Sequence, residues 1–183
     1  MTMTPVTFQC QADLEVSPQT IAAQILEVAN WSSFQGYGVL PGVREAVFET
    51  RTDAVIGSRI RVVNTDGSTH VEEITVWDPE YRLALRMADF SRPLSGLATH
   101  FDELWEFERG ATATRVTRTF ALHPRSYIGK VALWAISFLL RKAINRQLEH
   151  MGSLADPEFA ETRWSNSSRR ADSNSPQENG SLT

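Results

Sequence analysis

A chain of 183 residues with 42% hydrophobic and 22% charged side chains has material for one core of ordinary size and lies far from the composition of chains that stay unfolded. Lys+Arg 18 against Asp+Glu 22 leaves a formal charge of −4, and no basic cluster interleaved with aromatics stands out, so nucleic acid is not an expected partner. Cys10 is the only cysteine, which excludes an internal disulfide and a cysteine-based metal framework and points to a reducing, cytoplasmic setting. The start, MTMTPVTFQC, has neither the basic nor the apolar part of a secretory signal. The most apolar run, Val131 to Leu140, is ten residues bounded by Lys130 and Arg141, half the roughly twenty that a bilayer span takes, so no integral membrane segment is expected.

From Val6 to Val16 apolar and polar residues alternate without a break, which predicts a half-buried strand. Ser17 and Pro18 then supply an N-cap hydroxyl and an N1 proline, and Ile21, Ile25 and Val28 recur at helical spacing. After Trp31 and Phe34 the segment GYGVLPG breaks the chain. Six further strands are expected, over Val43–Thr50, Ile56–Asn64, Thr69–Trp77, Arg82–Met87, Leu97–Glu108 and Thr112–Leu122. Asp66-Gly67 is the strongest turn signal among them, read as a two-residue type I′ turn. Beyond His123-Pro124 the period changes to 3.6, with Ile128, Val131, Ala132, Ala135, Phe138, Leu139, Ile144, Leu148 and Met151 on one broad face of a helix about 40 Å long. From about Asp156 the chain is polar and offers little to bury, so residues 1–155 are expected to form the folded domain and 156–183 a disordered tail, in which Trp164 is the one large aromatic. The element order gives an α+β architecture in which the long helix covers the greasy face of an antiparallel sheet.

Several segments together resemble a known family: the strand followed by SPQTIAAQILEVANWSSF, the loop GYGVLPGV, the hairpin segment VEEITVWDPEYRLAL, then DELWEFERGATATRVTRTF and a final amphipathic helix, over roughly residues 6 to 154. In that order they are similar to the START/Bet v 1-like helix-grip superfamily (SRPBCC), in its polyketide cyclase/dehydrase and lipid-transport branch. The resemblance implies a seven-stranded curved antiparallel sheet gripping a long C-terminal helix, with two short helices between strands 1 and 2. It also implies a cavity between sheet and helix that receives a small hydrophobic molecule such as a lipid, sterol or polyketide, with catalysis in only some members.

Hairpin counting suggests which side chains face such a cavity. A two-residue turn at Asp66-Gly67 sets Val62 opposite Val71 and Ile60 opposite Glu73, which puts Glu73 on the apolar face and leaves Arg59, Arg61, His70 and Glu72 outside. A turn at Arg109-Gly110 pairs Glu103 with Val116 and Phe101 with Arg118, so Glu103 and Arg118 fall among Phe101, Trp105, Phe107, Val116 and Phe120 as diagonal neighbours. Two charges there must pair, shift their proton affinities or meet water. A β-bulge that slips the register by one places all three charges outside instead. With Glu73, Glu103 and Arg118, the expected cavity lining is Phe101, Trp105, Leu85 and Met87 from the sheet and Ala135, Phe138 and Leu139 from the helix.

No cofactor and no metal is expected: His100-x-Asp102 and His70-x-Glu72 each offer a ligand pair, but the pairs sit on the order of 10 Å apart. Cys10 reads as a buried structural thiol, and no nucleophile elbow accompanies the four histidines. Three functions remain open: a carrier or binder of a small hydrophobic ligand, a cyclase, aromatase or dehydratase in which a carboxylate or Arg polarises a carbonyl or moves a proton, and a regulatory partner-binding module.

Overall fold

The unbroken alternation at the start of the chain becomes β1 (Val6–Leu14), with Phe8, Cys10 and Leu14 pointing inward. Our computed structural model describes residues 3–154, so the expected polar tail and Trp164 lie outside the described residues. Ser17 caps α1 (Pro18–Leu26) by accepting from Thr20 N–H at 3.2 Å, and Pro18 opens its first turn. A 3₁₀ turn over Val28–Ser33 follows, tied back by Trp31 Nε1, which donates to the Ile25 carbonyl at 3.0 Å.

The remaining strands are β2 (Val43–Thr50), β3 (Arg59–Asn64), β4 (Thr69–Asp78), β5 (Arg82–Ala88), β6 (Ala98–Arg109) and β7 (Thr114–Pro124). Every pairing is antiparallel, in the order β1-β7-β6-β5-β4-β3-β2, so the first strand closes against the last and β2 forms the far edge. The inner face carries Ile60, Val62, Ile74, Leu83, Phe107, Val116, Phe120 and Leu122, all buried. Phe8 and Phe120 stack across β1 and β7 with centroids 4.9 Å apart.

Helix α2 (Tyr127–Leu154) lies along β1 and β7 and buries Leu133, Ser137, Ala143, Ile144 and Leu148. Its first turn approaches the segment before β6 so closely that a Cβ at Gly129 would stand 2.4 Å from the Leu97 carbonyl oxygen, and only glycine fits there. Near its other end, Arg146 and Lys142 lie over the Tyr37 ring at 4.5 and 5.3 Å, which links the helix to the GYGVLPG loop and through it to β2.

Two hairpins differ from their expected registers. The β3–β4 loop has three residues, Thr65 to Gly67: Asn64 N–H donates to Ser68 O at 2.8 Å, Gly67 N–H to Asn64 O at 3.0 Å, and Gly67 takes φ +84°. This is a type I turn closed by a glycine bulge in place of a type I′ turn. Asp66 accepts from both the Ser68 hydroxyl and the Ser68 N–H, and these bonds hold its carboxyl below the ordinary range. The register moves by one, so Ile60 pairs with Glu72 and Arg59 with Glu73, and the β4 side chains change faces as far as Ile74, after which a bulge sets Trp77 beside Leu83 on the inner face. The β6–β7 loop has four residues, and Val116 pairs with Phe107 instead of Glu103. That displacement is an even number, so every β6 and β7 side chain stays on its expected face.

The two sides of α2 make the burial assignment testable. Replacing fully buried Leu133 by Ala is expected to cost about 2–5 kcal/mol, while Val131→Ala, on the opposite side and 70% exposed, changes stability by less than about 0.5 kcal/mol. Chemical denaturation of both variants checks this, and equal losses would contradict the helix orientation.

Candidate functional site

On the inner face, β6 and β7 place Glu103 and Arg118 as diagonal neighbours: Glu103 faces Phe120 and Trp105 faces Arg118. Arg118 Nε donates to Glu103 Oε1 at 2.7 Å and Nη2 to the same oxygen at 2.5 Å, with both side chains about 95% buried. Arg118 Nη1 donates to Gln147 Oε1 of α2 at 2.7 Å, so the ion pair ties the sheet to the helix. The guanidinium carbon sits 3.9 Å from the Trp105 ring centroid and 5.4 Å from that of Phe120. Trp105 Nε1 is buried without a well-formed hydrogen bond and exerts only a weak pull on the Glu103 charge.

A second polar pair sits two strands away. His70 and Glu72 of β4 point inward in the observed register and approach to 3.1 Å, both nearly buried. Phe90, on the loop after β5, lies against both His70, at 6.0 Å, and Phe101, at 4.8 Å. Burial pushes the Glu103 carboxyl above its ordinary value; Arg118 pulls the other way, and the Glu72 charge adds to the rise. Cys10, which pairs with Arg118 across β1 and β7, has its thiol raised by burial against the opposing charges of Arg118 and Arg141. Its Sγ donates to the Arg141 carbonyl at 3.7 Å.

Of the residues expected from the sequence, the structure brings Glu103, Arg118, Phe101, Trp105 and Leu85 together as buried groups on the inner face, with Met87 half-buried beside them. Glu73 is outside: 41% of its side chain is exposed, and it accepts from Arg59 Nη1 at 3.1 Å. Ala135 and Phe138 are exposed and Leu139 is half-buried, because the helix turns a different stripe toward the sheet. Its first half is apolar on nearly every side, so periodicity alone does not say which side is down. Glu72, His70, Gln147 and Phe90 were missed. The available signal for the first two was the Thr-Asp-Gly triplet, which also suits a three-residue loop ending in a left-handed glycine.

His100, Asp102 and His123 gather on the outer face, their ligating atoms within 4.8 Å of one another. The His rings stack at 4.0 Å, and both Nε2 atoms approach Asp102 Oδ2, at 3.4 and 3.2 Å. Arg86 Nε donates to Asp102 Oδ1 at 2.8 Å, so an arginine ion pair already occupies one carboxylate oxygen of the cluster. Burial and the neighbouring His123 lower the His100 proton affinity. A shallow depression of about 240 Å³ lies between Glu15–Pro18 and Arg109–Thr114, and none of the inner-face charges lines it.

The direction of the Glu103 shift sets a pH signature. The native state holds the Glu103 proton more tightly than the unfolded chain, so the stability this group contributes is complete below the ordinary carboxylate value of 4.5 and is lost as pH rises through the raised native value. The difference in unfolding free energy, wild type minus Glu103→Gln, should therefore fall as pH rises above 4.5. Denaturation series at several pH values measure it, and a difference that grows with pH would show the opposite shift.

The description "Polyketide cyclase / dehydrase and lipid transport" belongs to the family whose profile matches residues 5–156. No curated protein matches the chain significantly. Among solved structures it is similar to a Thermus thermophilus protein, TTHA0849, with TM-score 0.61 and 16% identity over 82% of this chain and 99% of that one. Major latex-like protein 151 of Panax ginseng gives 0.57 and 14% over 79% and 98%. DynU16, from the dynemicin biosynthetic locus, gives 0.50 and 19% over 78% of this chain and 47% of its own. At these identities the structures speak for the fold alone, the Bet v 1-like helix-grip. With the match running over most of its length, the chain belongs to the polyketide cyclase/dehydrase and lipid transport family of the SRPBCC superfamily.

Proposed function

We propose that the protein binds a small hydrophobic ligand, lipid-, sterol- or polyketide-like, between the inner face of the sheet and α2, and that Glu103 and Arg118 orient it. The observation that carries this reading is the buried Glu103–Arg118 pair on a face that is mostly apolar. Replacing such a pair by apolar side chains is often neutral or stabilising, so stability alone gives little reason to keep it. A ligand with one polar end gives a reason: ligand sites are mostly apolar with a few placed polar groups that fix orientation. His70 and Glu72 supply a second such contact, and Leu85, Met87, Phe101 and Trp105 the apolar surroundings. The family description agrees with both lipid carriage and cyclase or dehydratase chemistry.

The raised Glu103 carboxyl favours the second reading, an enzyme of the cyclase or dehydratase type. A carboxyl group whose proton affinity is raised by burial suits a general acid or base, and an adjacent guanidinium polarises a carbonyl. Binding comes first in either case, so the discriminating step is turnover of whatever is bound.

Native mass spectrometry of protein purified from its own cells is expected to show a retained small hydrophobic molecule. The Glu103→Gln, Arg118→Gln double variant is expected to bind that molecule about tenfold or more weakly, near 1.4 kcal/mol, while its melting temperature moves little. Full retention by the double variant would overturn the reading. Chemical conversion of the molecule by wild type, lost in Glu103→Gln, would establish the enzyme.

A further inference from the structure

The side of α2 that turns away from the sheet is also apolar. Tyr127, Ile128, Val131, Trp134 and Phe138 are 82%, 79%, 70%, 59% and 50% exposed. Their spacing of three and four residues gathers them into one stripe over three turns, opposite Leu133, Ile144 and Leu148. Trp134 and Phe138 pack edge to face at 4.7 Å, so the stripe is continuous, and single scattered apolar residues would need no such explanation.

Charge frames this stripe in one sign. From Arg109 through Leu148 the chain holds eight Lys or Arg residues and not one Asp or Glu, although the whole protein is at −4. On and beside the helix these are Arg125, which donates to the Ala98 carbonyl, Lys130, Arg141 over the Phe8 ring, and Lys142 and Arg146 over the Tyr37 ring, so their positive charge surrounds the helix without a neighbouring carboxylate on it before Glu149. Together the stripe and its border have the character of an interfacial helix, with Trp and Tyr among aliphatic residues and cations at the edges. No helix among the described residues is long and apolar enough to cross a membrane, so such a helix lies on the surface.

We propose that this face of α2 docks the protein on an anionic lipid bilayer, the apolar stripe entering the headgroup boundary and the flanking cations meeting lipid phosphates. A second copy of the chain is the competing occupant, and the charges disfavour it: antiparallel pairing of two such faces sets Lys130 of one copy near Arg141 and Lys142 of the other, where like charges repel. Anionic headgroups neutralise the same cations. The close packing of Gly129 against Leu97 holds the first turn in place, so the surface is formed before it meets the membrane. This inference stands apart from the inner-face ligand, since none of its residues touches Glu103 or Arg118.

The test uses the full chain with vesicles of phosphatidylcholine alone or with about a third phosphatidylglycerol, the bound fraction read by sedimentation. Wild type is expected to bind the anionic vesicles at least about tenfold more tightly than the neutral ones. Trp134→Ser with Phe138→Ser should weaken that binding by about tenfold or more, and Lys130→Gln with Lys142→Gln should remove most of the preference for anionic lipid. Trp134, Phe138 and Lys142 are exposed and Lys130 is half-buried, and unchanged circular dichroism melts establish that the variants fold. Absence of binding to the anionic vesicles overturns the proposal, as does binding that the apolar double variant leaves intact. Light scattering that finds a stable dimer, made monomeric by the same double variant, in a protein that ignores vesicles would assign the face to a second copy.

Discussion

A guanidinium buried among aromatic rings needs a counter-charge within reach, and Arg118 organises β6, β7 and the helix around that need. Glu103 supplies the charge from the next strand, Gln147 takes a further N–H from the helix, and Trp105 and Phe120 supply faces for the cation. The arrangement requires that β6 and β7 pair in the observed register and that α2 presents Gln147 toward β7. Removing one partner would strand the other at a cost of about 3–5 kcal/mol, whereas exchanging both for a neutral pair would cost far less. The same asymmetry makes the site separable: its chemistry is open to change without dismantling the sheet.

The two hairpins show how far a sequence carries such a site. Around Arg109-Gly110 the loop is longer than a tight turn, and the partners shift by four, yet Glu103 and Arg118 remain inside because an even shift preserves the faces. Around Asp66-Gly67 one extra residue in the loop turns β4 over, sending Glu73 out to Arg59 and bringing His70 and Glu72 in. Strand alternation was therefore readable throughout, while the facing of β4 depended on whether the loop holds two residues or three. His123, Phe90 and Gln147 had no local signal at all, since their neighbours come from other strands or from the helix.

Helix α2 was legible as an element and ambiguous as a surface. Apolar residues on most of its first half satisfy several choices of buried stripe, and the sheet selects Leu133, Ile144 and Leu148. Phe138 and Ala135 are left on the other side. The outcome is a helix with two unlike apolar faces: one closes the core through Gln147 and Leu148, the other leaves aromatic and aliphatic groups exposed.

The central claim is that the Glu103–Arg118 pair faces a ligand, and side-chain NMR tests it most directly. Anilinonaphthalene sulfonate, apolar with one anionic end, can be titrated into labelled protein while the Trp105 indole and Arg118 Nε resonances are followed. The account predicts saturable shifts at both, abolished in the Glu103→Gln, Arg118→Gln variant for the indole that remains. Saturable binding that moves Trp134 and leaves Trp105 and Arg118 unmoved would contradict it.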